Sequence, residues 1–431
     1  MRQPLCTFTV LCLSRLAHGA APVAAWTNDA DHTRALVGEM HADAATRSSL
    51  LQSSGAGHDG KRFFLAGDGF HLAVNGQVQF RYTMNFRDED DGDDDGNGQD
   101  DFVSGFSTRR TKLGFAGHIV DKALTYRVLG AFSRSTGDFG LEDAFMAYSF
   151  DNGFKLQWGQ FKPPFMREEL ISSSMQLTAD RSLVNEVFNQ DWTQGVQLGY
   201  EDESWRIKGA FSDGFRARSS DYTAPKRLNP NLLFRDGESD YAFTARAEYL
   251  FSGGWKQFDD FTSPAGSEFG AMVGFAGHYE GGDSTTAAFG RSYDYFAWTG
   301  DISIEGDGWN AFASGVGSYT DSAVGEALSD YGVVVQAGIM IPDTKWELFA
   351  RYDALIPDEG QRATSSNDDW LNTVTAGVNY YWHGHAAKWT FDVQWFIDST
   401  NALALPFSGT GYLADDDDGE IAIRCQFQLL F

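Results

Sequence analysis

Cysteine is scarce in this chain: three in 431 residues, at positions 6, 12 and 425. Cys6 and Cys12 fall in a stretch that reads as an export signal, and the one remaining thiol cannot close an intramolecular disulfide. Neither early cysteine follows the small residue that lipoprotein processing favours, since Leu5 and Leu11 precede them. Proline is sparse too, at 10. No apolar run approaches the ~20 residues that a membrane-crossing helix needs, which excludes a helical membrane protein. Bases are outnumbered, 33 against 60 acids, for a net charge of −27. Such a balance excludes the basic footprint of a nucleic-acid binder. Walker loop, HExxH, CxxC and serine-elbow patterns are all missing, so no enzyme class is indicated and no cofactor is implied.

What the chain does have is 47 Gly, 35 Phe, 16 Tyr and 12 Trp, spread evenly. Arg2, the apolar "LCTFTVLCL" and the small-residue site "VAA" before Trp26 predict a signal peptide over residues 1–25. Residues 26–69 follow as a periplasmic segment. Leu36, Val37, Met40, Leu50 and Leu51 are spaced for a short helix there, and a plain linker fits equally.

From residue 70 the pattern is period-2 alternation. In "FHLAVNGQVQFRYTMNF" (70–86), Phe70, Leu72, Val74, Val78, Phe80, Tyr82, Met84 and Phe86 share one face, and Gln77, Gln79, Arg81, Thr83 and Asn85 share the other. "WTFDVQWFI" (389–397), "WELFARYDALI" (346–356) and the terminal "EIAIRCQFQLL F" (420–431) alternate in the same way. Strands of globular proteins usually run five or six residues. A greasy face rich in aromatics near strand ends, with charge at mid-strand on the opposite face, describes a barrel that meets lipid outside and water inside. About sixteen such segments can be counted, with long and short connections alternating. The expected fold is therefore an all-β transmembrane antiparallel barrel over residues 70–431, in the outer membrane, with short turns in the periplasm. Closure would pair the last strand with the first, so that the final Phe431 meets the lipid interface and no sheet edge stays open. One connection, 252–267, is long where a short turn is due.

Arg81, Arg110, Lys112, Arg127, Lys155, Arg206, Lys208, Arg246, Arg351, Lys388 and Arg424 all fall on the water-facing parity. They can line a pore and enrich anions, or pair with Asp143, Glu248, Asp301, Glu305, Glu347, Asp353 and Asp392 and brace the wall. The bases concentrate in the first half of the barrel and the acids in the second. Two acidic runs, "DEDDGDDDGNGQDD" (88–101) and "DDDD" (415–418), read as solvated loops. The first begins like an EF-hand, with Asp91, Asp93, Asp95 and Gly96, but places Phe102 where the bidentate Glu belongs. His383 and His385 offer two imidazoles without an obvious third ligand. No metal site is expected.

"STRRTKLGFAG" (107–117), "LEDAFMAYSF" (141–150), "WGQFKPPFMREELISSS" (158–174) and "ADRSLV" (179–184) resemble the phosphate-selective porin O and P family. That resemblance implies a sixteen-stranded homotrimer whose third loop, here 162–191, folds into the lumen. It also implies an arginine ladder leading anions to a constriction. On that basis Arg109 and Arg110 match the family's paired arginines, Asp143 its "DAY"-like aspartate and Arg181 its third-loop arginine, with Arg81 a looser match. The family's phosphate specialists carry lysines in the third loop, and this chain has none between Glu168 and Asp180. The expectation is a porin for small hydrophilic solutes that favours anions such as phosphate or polyphosphate. Its solute contacts would be Arg81, Arg109, Arg110, Lys112 and Arg181, with Asp143 orienting a basic neighbour or a phosphate proton. The rivals are a general or cation-preferring porin, suggested by the net charge, and a structural or adhesive envelope barrel.

Overall fold

In a computed structural model the described residues are 55–59, 62–86, 102–219, 239–283, 292–322, 327–359, 370–398 and 420–431. The proposed signal and the helical spacing at 29–52 lie outside them, as do the acidic runs at 88–101 and 415–418.

Sixteen strands form a closed antiparallel barrel. They are β3 (Phe70–Phe86), β4 (Phe102–Ile119), β5 (Asp121–Phe132), β6 (Phe139–Ser149), β7 (Phe154–Phe161), β8 (Thr193–Glu201), β9 (Trp205–Ser212) and β10 (Tyr241–Ser252) in the first half. The second half is β11 (Gly270–Asp283), β12 (Ser292–Gly306), β13 (Trp309–Ser322), β14 (Leu328–Met340), β15 (Trp346–Ile356), β16 (Leu371–His383), β17 (Ala387–Phe396) and β18 (Ile421–Leu430). Each strand pairs with the next, and β18 closes on β3 from Ile421↔Phe86 to Leu430↔Gln77. The expected segments and the observed strands agree to within three residues at every end. That precision follows from alternation that persists over whole strands, β3 and β4 being 17 and 18 residues long.

A hairpin absent from the sequence reading, β1 (Gly55–His58) and β2 (Phe63–Gly67), extends the sheet. β2 takes over the edge of β3 at Val74, just beyond the point where the chain's last residue bonds to Gly76. The Gly76 and Phe431 backbones exchange two hydrogen bonds, of 2.6 and 3.1 Å. A Cβ at Gly76 would lie 2.3 Å from the Phe431 ring, so a larger residue there would have to push that ring aside.

Outward side chains are apolar, and inward ones are polar except where the loop between β7 and β8 packs on them. On β3, Phe80 is 46% exposed while Gln79 and Arg81 are each 1% exposed. At the short-turn end aromatic pairs ring the wall: Phe154 with Tyr200, Trp205 with Tyr249, Trp346 with Tyr380, and Trp389 with Phe427. This is the interfacial girdle of a barrel in lipid, where amphipathic rings sit at headgroup level. No helix among the described residues is long and apolar enough to cross a membrane.

Candidate functional site: the lumen and its constriction

Residues 162–192, between β7 and β8, turn into the lumen. They carry two short helices, α1 (Arg167–Leu170) and α2 (Leu183–Phe188). Ser182 caps α2 by accepting from the Asn185 amide at 2.9 Å. The apolar side of this loop, including Phe165, Ile171, Leu177, Val184 and Phe188, packs on inward residues of the second half such as Tyr295, Phe312, Val334 and Phe349. Apolar residues at inward positions of these strands therefore meet protein rather than water.

Polar groups fix the loop in register. Asp392 accepts from the Ala179 amide and Asp353 from the Leu183 amide, both at 2.9 Å. Lys388 donates to the Gln176 carbonyl at 2.7 Å, and Arg351 to the Asp180 carbonyl at 2.9 Å. Arg246 holds Asp301 through two bonds of 2.8 and 3.0 Å and reaches the Phe165 carbonyl at 3.0 Å. Arg424 grips Asp392 through bonds of 2.7 and 3.0 Å. These charges thus brace the wall and loop. Each is buried with a carboxylate or carbonyl, as buried charge requires.

The open space lies on the other side. A cavity of about 880 Å³ runs between the loop and the first half of the barrel. Its basic lining residues are Arg62, Lys112, Arg127, Lys162, Arg181 and Lys208; its acidic ones are Glu142, Asp143 and Asp260. The lopsided placement of bases along the chain thus coincides with the passage.

Two β-bulges give this wall its chemistry. Gln79 faces Arg110 but Phe80 faces Thr108, so Arg109 is an extra residue. Strict alternation would send Arg109 outward; the bulge lets it and Arg110 both reach inward. On β6, Leu129 faces Asp143 and Gly130 faces Leu141, so Glu142 is extra and also turns in beside Asp143.

The paired arginines converge on Asp180. Arg109 Nε and Arg110 Nη2 reach it at 3.1 and 3.0 Å, Arg81 bonds to its other oxygen, and Arg424 stands 3.8 Å away. Burial alone would raise the Asp180 pKa, but Arg109, Arg81 and Arg110 hold it well below the usual carboxylate range. With Arg424 already held by Asp392, this one carboxylate faces the three guanidiniums of Arg81, Arg109 and Arg110, which leaves a surplus of positive charge. Arg109 and Arg110 are the more accessible members, with 12% of each side chain exposed against 1% for Arg81.

Lower in the passage, Lys112 donates to Glu142 at 2.6 Å. Asp143 accepts from the Trp192 indole at 2.7 Å and pairs with Arg127 at 2.6 Å, leaving Arg127 half-exposed. Trp192 was not singled out from the sequence. Its ring gathers the ammonium groups of Lys162 at 4.4 Å and Lys112 at 5.5 Å, with the Arg218 guanidinium at 6.0 Å. Lys162 lies in the quoted "GQFKPPF" stretch yet was not marked as a pore residue; its position just past β7 was the available signal. Nothing in the alternation distinguishes Trp192, which ends a loop.

The six sequence-derived residues therefore sort by geometry. Arg109, Arg110, Lys112 and Asp143 stand on the wall of the first half. Arg81 is buried beneath Asp180. Arg181 donates to the carbonyls of Glu168 and Ile171 at 3.0 and 2.8 Å and pairs with Glu169 at 3.2 Å, so it holds the loop's own turn together. Among the described residues no cluster of three metal-ligating side chains occurs, so His383 and His385 belong to none.

Comparison with known proteins agrees with this architecture. Residues 77–251 match the family model described as phosphate-selective porin O and P. An uncharacterized protein of Aquifex aeolicus (strain VF5) is 25% identical over 273 residues, or 59% of this chain and 62% of that one. The aligned part thus spans less than two thirds of that relative. Among solved structures, the anion-selective porin from Comamonas acidovorans superposes with a TM-score of 0.56 at 10% identity, covering 84% of this chain and all of that one. Trimeric, in-vitro folded OmpT of Vibrio cholerae gives 0.52 at 13% identity, again over 84% and 100%. The channel DcaP of Acinetobacter baumannii gives 0.51 at 13%, over 84% and 99%. At such identities these likenesses establish the porin barrel fold.

Proposed function

For a chain whose residues 77–251 belong to the phosphate-selective porin O and P family, and whose barrel is that of an outer-membrane porin, we propose passive diffusion of small hydrophilic anions, with phosphate or polyphosphate as the favoured class. The carrying observation is the separation of charge across the lumen. From β10 onward the wall pairs its acids and bases with each other and with the loop, whereas along or beside the passage Arg109, Arg110, Lys112, Arg127, Lys162 and Lys208 outnumber the carboxylates paired to them, Asp180, Glu142, Asp143 and Glu169. Fixed cations in a narrow space with low-dielectric walls raise the local anion concentration. The net charge of −27 does not oppose this reading, because charges more than a Debye length away, about 8 Å at physiological salt, are largely screened. Asp143 serves to orient Arg127 and Trp192, in keeping with the role the family resemblance implies. Assembly as a homotrimer in the outer membrane belongs to the same reading.

The test is the reversal potential of the purified protein in a planar bilayer under a potassium chloride gradient, with phosphate then titrated against the chloride current. Anion selectivity with block by phosphate is expected. A cation-selective wild-type pore would overturn the reading in favour of a general porin.

A further inference from the structure

The connection that broke the alternation of long and short loops, residues 253–269 between β10 and β11, has its own structure at the short-turn end. It begins with a 3-10 helix, Trp255–Asp259. Trp255 is fastened outside by donating to the Asp202 carbonyl at 2.7 Å. The chain then turns inward. Phe258 is 3% exposed and Phe261 4%, and the Phe261 ring stands 4.9 Å from that of Phe312 inside the barrel.

This turn meets the constriction loop. The Phe261 amide donates to the Met175 carbonyl at 3.3 Å. Arg167, on α1 of the loop, donates to the Phe258 carbonyl at 2.6 Å, with its guanidinium 5.6 and 5.7 Å from the Phe258 and Phe261 ring centres. On the far side the Thr262 hydroxyl lies 2.8 Å from that of Tyr381 on β16. The turn therefore reaches from the β10–β11 junction to β16. Between those anchors it underlies the half of the lumen that the loop already fills. Asp260 is left at the margin, lining the cavity with its carboxylate 3.5 Å from His385 Nε2.

We infer that residues 253–269 are a second constriction element, a floor that closes the second half of the lumen from the short-turn side. It directs solutes out past Asp260, which sets the charge at the exit. A solute that follows the cavity meets bases along the wall and then this carboxylate, so Asp260 is a specificity-determining residue for charged solutes. The inference rests on the channel itself and not on its preference for anions.

Three measurements test it. Replacing residues 255–266 with an Asn-Gly turn should raise single-channel conductance at least ~1.5-fold in a barrel that still shows heat-modifiable migration; unchanged conductance in that barrel would refute the floor. Should the shortened barrel fail to assemble, Asp260→Cys in a Cys425→Ser background decides. An anionic thiosulfonate added on the short-turn side should cut the current, and an unaffected current would place Asp260 off the path. Asp260→Asn should raise the anion-to-cation permeability ratio about threefold by removing one unit charge. No change in that ratio would remove Asp260 from selectivity. A cation-selective wild type would overturn the phosphate reading yet leave the conductance and labelling results to decide the floor.

Discussion

Asp180→Asn is the most informative single change in the constriction, because this carboxylate is fully buried and is shared by Arg81, Arg109 and Arg110. Removing its charge leaves the guanidiniums unbalanced, while the amide oxygen can still accept one hydrogen bond. Breaking a buried ion pair costs about 3–5 kcal/mol, so Arg109 and Arg110 should swing towards water in the passage. An anion 5 Å from one added positive charge gains about 0.8 kcal/mol in water, reduced to about 0.5 by screening at 0.1 M salt. A cation loses as much, so the anion-to-cation ratio should rise by about 1 kcal/mol, or about fivefold. For a pore starting without preference, that gives a reversal potential of about 30 mV, out of the roughly 59 mV limit for a tenfold salt gradient. Conductance read on the same channels separates the alternatives. A larger conductance with unchanged selectivity would mean that Asp180 only anchors the loop, and the electrostatic reasoning would fail. The pH dependence has a definite sign. A carboxylate whose folded pKa is depressed contributes stability that is complete above its unfolded value and is lost only as pH falls through the folded one. Asp180 is such a group, so its hold on the arginines should persist as pH falls from 7 to about 4, and the difference in reversal potential between wild type and Asp180→Asn should be the same at both ends of that range.

Two further outcomes follow from the geometry. Arg181→Ala should raise conductance by loosening the loop's turn, since Arg181 bonds the carbonyls of Glu168 and Ile171, whereas Arg110→Ala with Lys112→Ala should shift the reversal potential towards cations at little cost in conductance; the opposite pattern would exchange their roles. Phe431→Asp or Gly76→Leu should reduce the yield of heat-modifiable folded barrel, because both disturb the seal between the last residue and β3; wild-type yields of both variants would refute the importance of that seal. Lipid-face charge costs from ~0 near the interface to a few kcal/mol at the midplane, so Phe431→Asp should act mainly on assembly.

What could be read from the sequence was whatever depends on neighbours in the chain. Alternation has a period of two because successive side chains of a strand point to opposite faces, so Arg424, Gln426 and Gln428 could be assigned inward and Phe427 and Leu429 outward before any contact was known. Strand number, closure and the lopsided placement of bases came from the same local rule. Sequence likeness added the third loop and the paired arginines. What local rules cannot carry is a change of parity or a meeting of distant segments. Whether Arg109 faces lipid or lumen depends on a bulge, which is a property of two strands in register and not of either alone. Whether Arg181 contacts solute or braces a turn depends on carbonyls brought round by the fold of its own loop. Asp180 and Arg81 are 99 residues apart, and Ala179 and Asp392 are 213 apart; only the closed barrel brings the loop against one wall and leaves the other to water. The tertiary structure thus decided which bases brace and which line the passage, because burial and the partners it demands are set by the packed whole.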